Sequence, residues 1–363
     1  MLISGSLTPM KCGVGDYTGH LAAALERLSP GSVAVLTDQA ARDHQPTAAY
    51  RVFPVVRRWS ARDVPAIARA VRQWRPQVIH MQFPTQGYRR RKFPWLLPAL
   101  FSIAQTPVVQ TWHEYYPARS GWKNIFNAIA PGGLIVVRPN YLEAMPSWYR
   151  QLVARKHFRL IPNAATLPQV RLTPAERMRI RAHVAANSKR LIAYFGFVYP
   201  AKGVEFLTEI ANPETDHLVI VADLQQADPY HGQILQRLRT SEWAGRTHVT
   251  GFLEDHAAAA MLAAADAVVL PFRDGGGFWN TSVRAARKQG VFVLTTSRER
   301  RGYDAEDNTY YAVPGDTAEM RDALGRYSGV RRAPEPDAQL QEWEVIARAH
   351  YEVYAEVTGR RAP

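Results

Sequence analysis

Residues 271–296 read PFRDGGGFWNTSVRAARKQGVFVLTT, and the pattern of this stretch sets the fold expected for the chain. It follows a short apolar run, residues 267–270, and contains another at 291–294; both are typical of buried strands. Three glycines interrupt the chain between these runs, and residues 279–289 have the apolar spacing of a helix. The stretch therefore predicts a strand, a glycine loop, a helix and a strand, with the loop at the carboxyl edge of a parallel sheet, where ligands bind.

The same alternation of apolar runs and helical patterns extends along the chain. In the first half we predict strands at residues 1–4, 33–36, 50–56, 77–81, 107–111, 133–137 and 158–161, and helices at 16–27, 64–74, 93–103 and 141–153. In the second half we predict strands at 190–195, 217–222 and 247–250, and helices at 174–185, 203–210, 230–239, 257–264, 318–327 and 339–357. Strands regularly separated by helices indicate parallel sheets that are covered on both faces.

The sequence thus predicts an α/β protein with two Rossmann-like, doubly wound parallel-sheet domains that face each other across a cleft. The expected boundaries are residues 1–165 for the first domain, 166–337 for the second and 338–363 for a C-terminal helix. Pro162 and Pro168 bound the expected linker. A cleft between the carboxyl edges of two sheets suits a ligand that needs two adjoining pockets.

Composition limits the class of protein. The chain has 363 residues, of which 47% are hydrophobic, enough for two globular domains. Its 45 Lys and Arg residues against 32 Asp and Glu give a net charge of +13, which suits nucleic acid, acidic membranes or phosphorylated substrates. The single cysteine, Cys12, cannot form an internal disulfide, and no apolar run approaches the length of a membrane span. We therefore expect a cytoplasmic protein, soluble or peripheral at a membrane.

Two glycine-containing segments each follow the first predicted strand of a domain. The segment with Gly13 and Gly15 lacks the third glycine of a dinucleotide-binding motif, so we expect a loop that approaches a ligand, or simply a tight turn. Gly196 and Lys202 follow the first strand of the second domain. Lys202 precedes a predicted helix, whose free N–H groups and dipole attract phosphate; the alternative is a surface lysine beside a turn. The spacing of an ATP-binding P-loop is absent.

His113 closely follows the predicted strand at 107–111, again at the carboxyl edge. A histidine there can hydrogen-bond a sugar hydroxyl or a carbonyl group, or it can be purely structural. No cluster of histidine, cysteine and aspartate has the spacing of metal ligands, and no Gly-x-Ser-x-Gly motif occurs. We therefore expect no metal site.

Residues 89–95 form a basic run with aromatic residues, RRRKFPW, and an apolar segment follows at 96–101. Such a mixture is typical of a helix at a membrane surface, and we expect a peripheral membrane contact from Arg89 to Trp95. A solvated charged face over a core helix is an equally consistent interpretation. No recognised nucleic-acid-binding module is visible, so we expect no nucleic acid as a partner.

Taken together, four segments resemble the family-four glycosyltransferases, which are retaining enzymes of the GT-B fold. They are residues 12–18 (CGVGDYT), 195–204 (FGFVYPAKGV), 249–254 (VTGFLE) and 266–296. The last predicted helix also resembles that family's final helix, which returns to the first domain. The resemblance implies a nucleotide-diphosphate sugar held mainly by the second domain, and a glycan, glycolipid or other acceptor held by the first. It implies no cofactor and no metal, because lysine, arginine and helix N-termini stabilise the leaving diphosphate.

The resemblance also implies roles for individual residues. The candidate catalytic residues are His113, Lys202 and Asp274. The candidate donor-binding residues are Gly13, Gly15, Gly196, Lys202, Arg273, Gly275, Gly276, Gly277, Asn280, Thr281 and Ser282. In this assignment Lys202 holds the diphosphate and His113 touches the donor sugar. By the same analogy, the expected setting is the assembly of surface glycoconjugates or polysaccharides at the inner face of a membrane.

The sequence departs from that family at three positions. Phe197 stands where the family usually has an arginine, and Gly277 and Ala285 stand where it has two glutamates, the second of which usually binds the ribose. The residues available as substitutes are Arg273, Asp274, Asn280, Thr281, Ser282, Arg284, Arg287 and Lys288. The missing carboxylates also motivate an alternative function, a catalytically inactive GT-B module that binds a nucleotide or a partner subunit. An enzyme that acts otherwise on sugar nucleotides, such as an epimerase, is a third candidate.

Overall fold

The structure is a computed structural model that describes residues 1–44, 49–89, 91–114, 125–143, 145–185, 190–333 and 338–360. Contacts between residues divide the chain into two compact units. Unit 1 consists of Met1–Asn163 together with Leu340–Pro363, and unit 2 consists of Ala164–Gln339. Each unit is built on its own seven-stranded sheet.

The sheet of unit 1 is parallel throughout. Its strands are β1 (Leu2–Ile3), β2 (Ala34–Asp38), β3 (Arg51–Val56), β4 (Ile79–Phe83), β5 (Val108–Trp112), β6 (Gly133–Val136) and β7 (His157–Leu160). The helices between them are α1 (Gly13–Leu28), α2 (Val64–Trp74), α3 (Leu97–Ile103), α4 (Ile125–Ile129) and α5 (Ser147–Val153). The strand order is β3-β2-β1-β4-β5-β6-β7. The order reverses between β1 and β4, and doubly wound sheets bind ligands at such a point.

The sheet of unit 2 has the same plan with one antiparallel edge. Its strands are β8 (Arg190–Phe195), β9 (Asp216–Val221), β10 (Thr247–Val249), β11 (Ala267–Leu270), β12 (Phe292–Thr296), β13 (Gly302–Asp304) and β14 (Thr309–Ala312). Its helices are α6 (Pro174–Ala185), α7 (Leu207–Ile210), α8 (Pro229–Leu238), α9 (Asp255–Ala264), α10 (Thr281–Lys288) and α11 (Thr317–Tyr327). The strand order is β10-β9-β8-β11-β12-β14-β13, and only β13 runs antiparallel to its neighbour. The order reverses between β8 and β11.

The core of unit 2 explains why its sequence contains continuous apolar runs. Every residue of β9, β11 and β12 is buried, because helices cover both faces of a parallel sheet. The register of β11 against β12 runs from Ala267 opposite Phe292 to Leu270 opposite Thr295. The quoted stretch therefore starts and ends in the middle of the core, and its loop emerges at the carboxyl edge.

The fold class expected from the sequence is confirmed, with local differences. β13 and β14 are missing from the prediction because they are only 3 and 4 residues long and carry no run of aliphatic side chains. The five-residue α4 is missing for the same reason of length. The helix predicted at 93–103 starts with a 3₁₀ turn, Phe93–Leu96, and that predicted at 141–153 starts only at Ser147, after Pro146. Prolines fix the backbone at both places and delay the regular helix.

The last helix of the chain, α12 (Ala338–Thr358), packs on unit 1. The ring of Trp343 stacks on His20 of α1 with 5.2 Å between ring centres, and His350 is fully buried. Among the described residues, no helix is both long and apolar enough to cross a membrane.

Candidate functional site

In unit 2, the loops that follow β8 and β11 lie against each other because these strands are neighbours at the reversal point. Lys202 is the last residue of a 3₁₀ turn, Pro200–Lys202, and its Nζ lies 4.5 Å from the ring centre of Phe272. A Cβ on Gly203 would lie 2.1 Å from the carbonyl oxygen of Pro271, so only glycine permits this approach. The structure thus brings Lys202 to the base of the glycine loop.

The helix expected directly after Lys202 is not there. Gly203 has a φ of 65°, in the left-handed region, and a second 3₁₀ turn, Val204–Phe206, comes before the four-residue α7. A regular helix cannot pass through a left-handed residue, which is why the pattern at 203–210 misleads. The positive charge at this point therefore comes from the Lys202 ammonium group rather than from a helix dipole.

The three glycines are required for two reasons, the backbone conformation at Gly275 and the lack of space for a side chain at Gly276 and Gly277. Gly275 has a φ of 83°, a conformation that other residues rarely adopt. A Cβ on Gly276 would lie 2.2 Å from Cδ2 of Phe272, and one on Gly277 would lie 2.5 Å from Cζ3 of Trp279. The Gly276 N–H donates to the carbonyl of Thr296 at 2.7 Å. Its hydrogen bond holds the loop in shape and is not directed at a ligand.

The N-terminus of α10 faces the same edge. Asn280 is its N-cap residue, but the Asn280 side chain accepts a hydrogen bond from the Gly277 N–H at 2.9 Å and caps no helical N–H group. Thr281 and Ser282 form the first turn, and a Cβ on Gly196 would lie 3.8 Å from that of Ser282. The backbone N–H groups at the start of a helix without a side-chain cap suit an anionic ligand.

Two predicted polar residues of the loop are engaged with protein side chains. The Arg273 guanidinium donates to Glu205, with Nε 2.9 Å from Oε1, and lies 4.8 Å from the ring centre of Phe206. Asp274 pairs with Arg298 at 3.2 Å, and both side chains are exposed. Glu205 and Arg298 carry no motif signal in the sequence, since only the folded loops bring them to these partners.

The structure also explains the two missing carboxylates. The indole of Trp279 fills the space that a side chain at position 277 would need. Ala285 is fully buried on α10, so a glutamate there would be enclosed in the core. Of the basic residues on α10, Arg284 donates to the Phe278 carbonyl at 3.1 Å, and Arg287 pairs with Asp307.

In unit 1, the segment with Gly13 and Gly15 differs from the expected loop, because α1 already begins at Gly13. Gly15 is buried, and a Cβ there would lie 3.1 Å from Ser6. The loops after β1 and β4 meet closely, since a Cβ on Gly87 would lie 1.6 Å from the Gly5 carbonyl oxygen. Gly5 and Gly87 are absent from the predicted site. The residues beside each glycine do not indicate that the two loops touch.

His113 lies just beyond the end of β5, half-buried beside the reversal point of unit 1. Its backbone N–H donates to the Phe83 carbonyl at 2.7 Å, and its Nε2 lies 2.7 Å from Oε1 of Gln82. Burial lowers the pKa of His113 to about 3. The imidazole is therefore neutral at physiological pH and suits a hydrogen-bonding role rather than general acid chemistry.

The basic run at 89–95 differs from a lipid-facing helix. Arg89 is exposed, and Arg90 lies outside the described residues. Trp95 is turned inward, where it stacks on Phe83 with 4.8 Å between ring centres. The exposed apolar side chains come from the next helix, where Ile103 is 80% exposed. Across the described part of the chain, no group of three or more His, Cys, Asp or Glu residues is arranged to hold a metal ion.

Comparison with known proteins places these features in context. Residues 189–328 match the family model described as Glycosyl transferases group 1. No curated protein gives a significant sequence match. The resemblance seen in the sequence is thereby confirmed for unit 2.

Solved structures share the architecture over the whole chain. Sucrose-phosphate synthase from Thermosynechococcus elongatus has 15% identity and a TM-score of 0.73, with 99% of this chain and 98% of that chain covered. Anabaena HepE, solved in complex with UDP and glucose, has 13% identity and a TM-score of 0.66, with 99% and 96% covered. WaaG, a glycosyltransferase involved in lipopolysaccharide biosynthesis, has 14% identity and a TM-score of 0.61, with 99% and 97% covered. These likenesses show the GT-B fold.

Proposed function

The second unit of this chain is of the group 1 glycosyltransferase type within a GT-B fold, and from this premise we propose that the protein transfers a sugar from a nucleotide-diphosphate sugar to an acceptor with retention of configuration. The observation that carries the proposal is the reversal point of unit 2. There Lys202, the glycine loop and the N-terminus of α10 converge at one sheet edge. A cationic side chain beside uncapped helical N–H groups is suited to a diphosphate.

The chemistry follows from charge development on the diphosphate. As the bond between the sugar C1 and the phosphate oxygen breaks, the acceptor oxygen forms its bond to C1 on the same face. The acceptor's proton passes to the leaving phosphate oxygen, so that no separate protein base is needed. Lys202 and the first turn of α10 stabilise the negative charge that grows on the leaving group. This step involves no metal ion.

The recognition of the nucleotide has to differ from that of the family as a whole. Since Trp279 occupies the space beside Gly277 and Ala285 is buried, no carboxylate holds the ribose from these positions. We assign the substitution to polar groups of the first turn of α10, Thr281 and Ser282, with positive charge from Arg284.

For the acceptor we propose a glycan, glycolipid or similar molecule in surface glycoconjugate assembly, at the inner face of a membrane. The role of WaaG in lipopolysaccharide biosynthesis supports this setting by analogy. The contact with the membrane is proposed to involve the exposed Arg89, Arg91 and Lys92 together with Leu100 and Ile103 of α3, which are 45% and 80% exposed.

A catalytically inactive module that binds a nucleotide or a partner subunit is the second candidate, because both family carboxylates are absent. The two functions differ in turnover. A transferase cleaves its sugar nucleotide, slowly even without acceptor, whereas a binding module leaves it intact.

The test is a thermal-shift panel of UDP-, GDP-, ADP- and dTDP-glucose, followed by an assay for sugar release with the nucleotide that binds. A donor at about 100 times its Kd is expected to stabilise the protein by about 2.7 kcal/mol. Lys202→Ala is expected to weaken binding by about 10- to 100-fold, since a charge-assisted hydrogen bond is lost.

The matched control is Arg239→Ala, which removes one positive charge from an exposed position at the end of α8. It is expected to leave the affinity unchanged within about twofold. Equal affinity of Lys202→Ala and the unmodified protein would contradict the diphosphate assignment. Binding without any sugar release would favour the inactive module.

A further inference from the structure

A cavity lined by several arginines lies in unit 2, at the edge of the sheet opposite to the glycine loop. Its volume is about 700 Å³, and sites for small molecules have roughly 300–1,000 Å³. Asp266 and Gln289, which line the cavity, come shortly before β11 and β12, at the amino ends of these strands. Because β11 spans 4 residues, the cavity and the candidate donor site are about 13 Å apart. A ligand in the cavity therefore takes no part in chemistry at the carboxyl edge.

The wall of this arginine cavity has a large surplus of positive charge. Of the described residues that line it, five are arginines and only Asp266 has a carboxylate, which leaves a surplus of four positive charges. The arginines are Arg171, Arg177, Arg181, Arg331 and Arg332. The apolar part of the wall is formed by Val170, Leu172, Pro174, Met178, Ala263 and Ala333. The cavity thus combines a cationic part with an apolar part.

The carboxylate of Asp266 is fully engaged by two arginines of α6. Nη2 of Arg177 lies 2.7 Å from Oδ1 of Asp266, and Nη1 of Arg181 lies 2.6 Å from Oδ2. The Leu191 N–H also donates to Oδ2, at 2.8 Å. Since both carboxylate oxygens are taken, Asp266 does not balance the charges of the other three arginines.

Main-chain carbonyl groups at the end of α9 hold two of the arginines in position. Nη2 of Arg331 donates to the carbonyls of Ala263, at 2.7 Å, and Ala265. Nε of Arg177 donates to the carbonyl of Ala264 at 3.2 Å. Within the described part of the chain, these bonds and the ion pair use Nε and Nη2 of Arg177 and Nη2 of Arg331. The Nη1 group of each arginine is therefore left to donate to a ligand.

The guanidinium groups also repel one another. Desolvation, followed by the positive charge of Arg177, lowers the pKa of Arg331 to about 10. The charge of Arg181 acts in the same direction, whereas that of Asp266 opposes it. An anion among these groups reduces the repulsion, and the planar guanidinium group matches the oxygens of a phosphate in pairs.

We propose that the arginine cavity binds the phosphate group of a small phosphate monoester, whose organic part lies against the apolar part of the wall. A phosphate monoester has up to two negative charges near neutral pH and three oxygens that accept hydrogen bonds. It therefore matches the surplus of charge better than a carboxylate does. The site lies within unit 2 and does not depend on the proposed transfer reaction.

The test is calorimetry with phenyl phosphate, which joins a phosphate monoester to an apolar ring. Arg331→Gln keeps an N–H donor for the carbonyls of α9 but removes the charge, and it is expected to bind phenyl phosphate about tenfold more weakly. Arg177→Gln is the second variant, should the first fail to fold, with the same expected loss. Unchanged affinity in these variants would overturn the proposal.

Two controls separate this site from the donor site and from the overall charge. Lys202→Ala is expected to bind phenyl phosphate as the unmodified protein does, since Lys202 lies at the opposite edge of the sheet. Arg239→Gln removes one positive charge at the exposed end of α8 and is expected to change the affinity by less than about twofold. A loss of binding in Lys202→Ala alone would assign phenyl phosphate to the donor site and overturn the proposal.

The nature of the ligand is tested with two further probes. Inorganic phosphate is expected to bind about tenfold more weakly than phenyl phosphate, because it buries no apolar surface, and equal affinities would contradict the role of the apolar wall. Phosphatidic acid presents the same phosphate monoester on a lipid. Arg331→Gln is expected to co-sediment with vesicles of phosphatidic acid as the unmodified protein does. Loss of vesicle binding in this variant, without any binding of phenyl phosphate to the unmodified protein, would assign the cavity to a lipid headgroup and overturn the proposal.

Discussion

At the residue scale, the glycine loop of unit 2 shows that a single hydrogen atom in place of a methyl group decides the geometry of the site. Gly276 lies so close to Phe272 that a Cβ would stand 2.2 Å from the ring, and the ring in turn lies beneath the Lys202 ammonium group. The loop, the aromatic ring and the cation are therefore coupled. A change at any one of them moves the others.

Gly276→Ala is expected to destabilise the protein by about 1–3 kcal/mol through overpacking, and to weaken donor binding because Phe272 displaces Lys202. Urea unfolding and calorimetry check the two effects. Gly325→Ala is the matched control, since Gly325 lies within α11 and a Cβ there meets no atom within 4 Å. That change is expected to stabilise by about 0.5–1 kcal/mol. Equal and small effects at both positions would contradict the proposed crowding.

At the element scale, α12 contributes the fully buried His350 to unit 1, which also contains the buried His80 and the half-buried His113. Burial lowers the pKa of His350 to about 4 and that of His113 to about 3, and it holds the pKa of His80 well below its ordinary value. All three are neutral in the folded state. The unfolded chain binds their protons below about pH 6.5, so the stability of unit 1 falls as the pH falls from about 7 towards 4.

The expected slope is up to about 1.4 kcal/mol per pH unit for each histidine, or about 4 kcal/mol per unit for the three together. Hydrogen exchange of the amides of β4 and β5 at about pH 7.5 and about pH 5.5 measures it. His350→Gln is expected to reduce the slope by up to about 1.4 kcal/mol per pH unit. His157→Gln, at an exposed position of β7, serves as the control and should leave the slope unchanged. The same slope in both variants would contradict neutral burial of His350.

The elements also show what a sequence can and cannot reveal. The apolar runs that form β9, β11 and β12 are visible because a sheet covered on both faces needs continuous aliphatic residues. The start of α1 at Gly13 is hidden, since Cys12 is an unusual N-cap and two glycines are poor helix formers. The contact between His80 and Tyr354 joins positions 274 residues apart, and no local pattern encodes such a distance.

The candidate site was predictable to a similar degree. The sequence predicts Lys202 and the glycine loop at one sheet edge because turns at the carboxyl edge of a strand have a recognisable composition. The sequence does not predict the hydrogen bond from Arg273 to Glu205, because that bond depends on how two loops distant in the sequence meet in the fold. A motif in the sequence indicates which loop belongs to the site. Tertiary contacts decide which residue of that loop is available to a ligand.

At the scale of the whole molecule, the net charge of +13 favours association with anionic surfaces. We expect the protein to bind vesicles that contain phosphatidylglycerol, and to be released by about 1 M salt, at which the Debye length falls to about 3 Å. Co-sedimentation measures the bound fraction. Vesicles of phosphatidylcholine alone are expected to bind far less protein.

Ile103→Ser is expected to weaken this association by about tenfold, since one exposed aliphatic side chain on α3 no longer enters the interface. Val345→Ser is the matched control, because Val345 on α12 is similarly exposed, at 66% against 80% for Ile103. Equal losses in the two variants would show that exposed apolar side chains act without regard to position, and would remove α3 from the proposed membrane contact.

The pair formed by Gly277 and Trp279 has a consequence for any attempt to alter the chemistry of this protein. An indole at 279 and a long side chain at 277 compete for the same volume. Installing a glutamate is therefore harmful while the tryptophan remains and tolerable once it has been made small, which is a case of epistasis with a defined steric origin. A series of substitutions that introduces a glutamate at position 277 therefore has to make residue 279 smaller first.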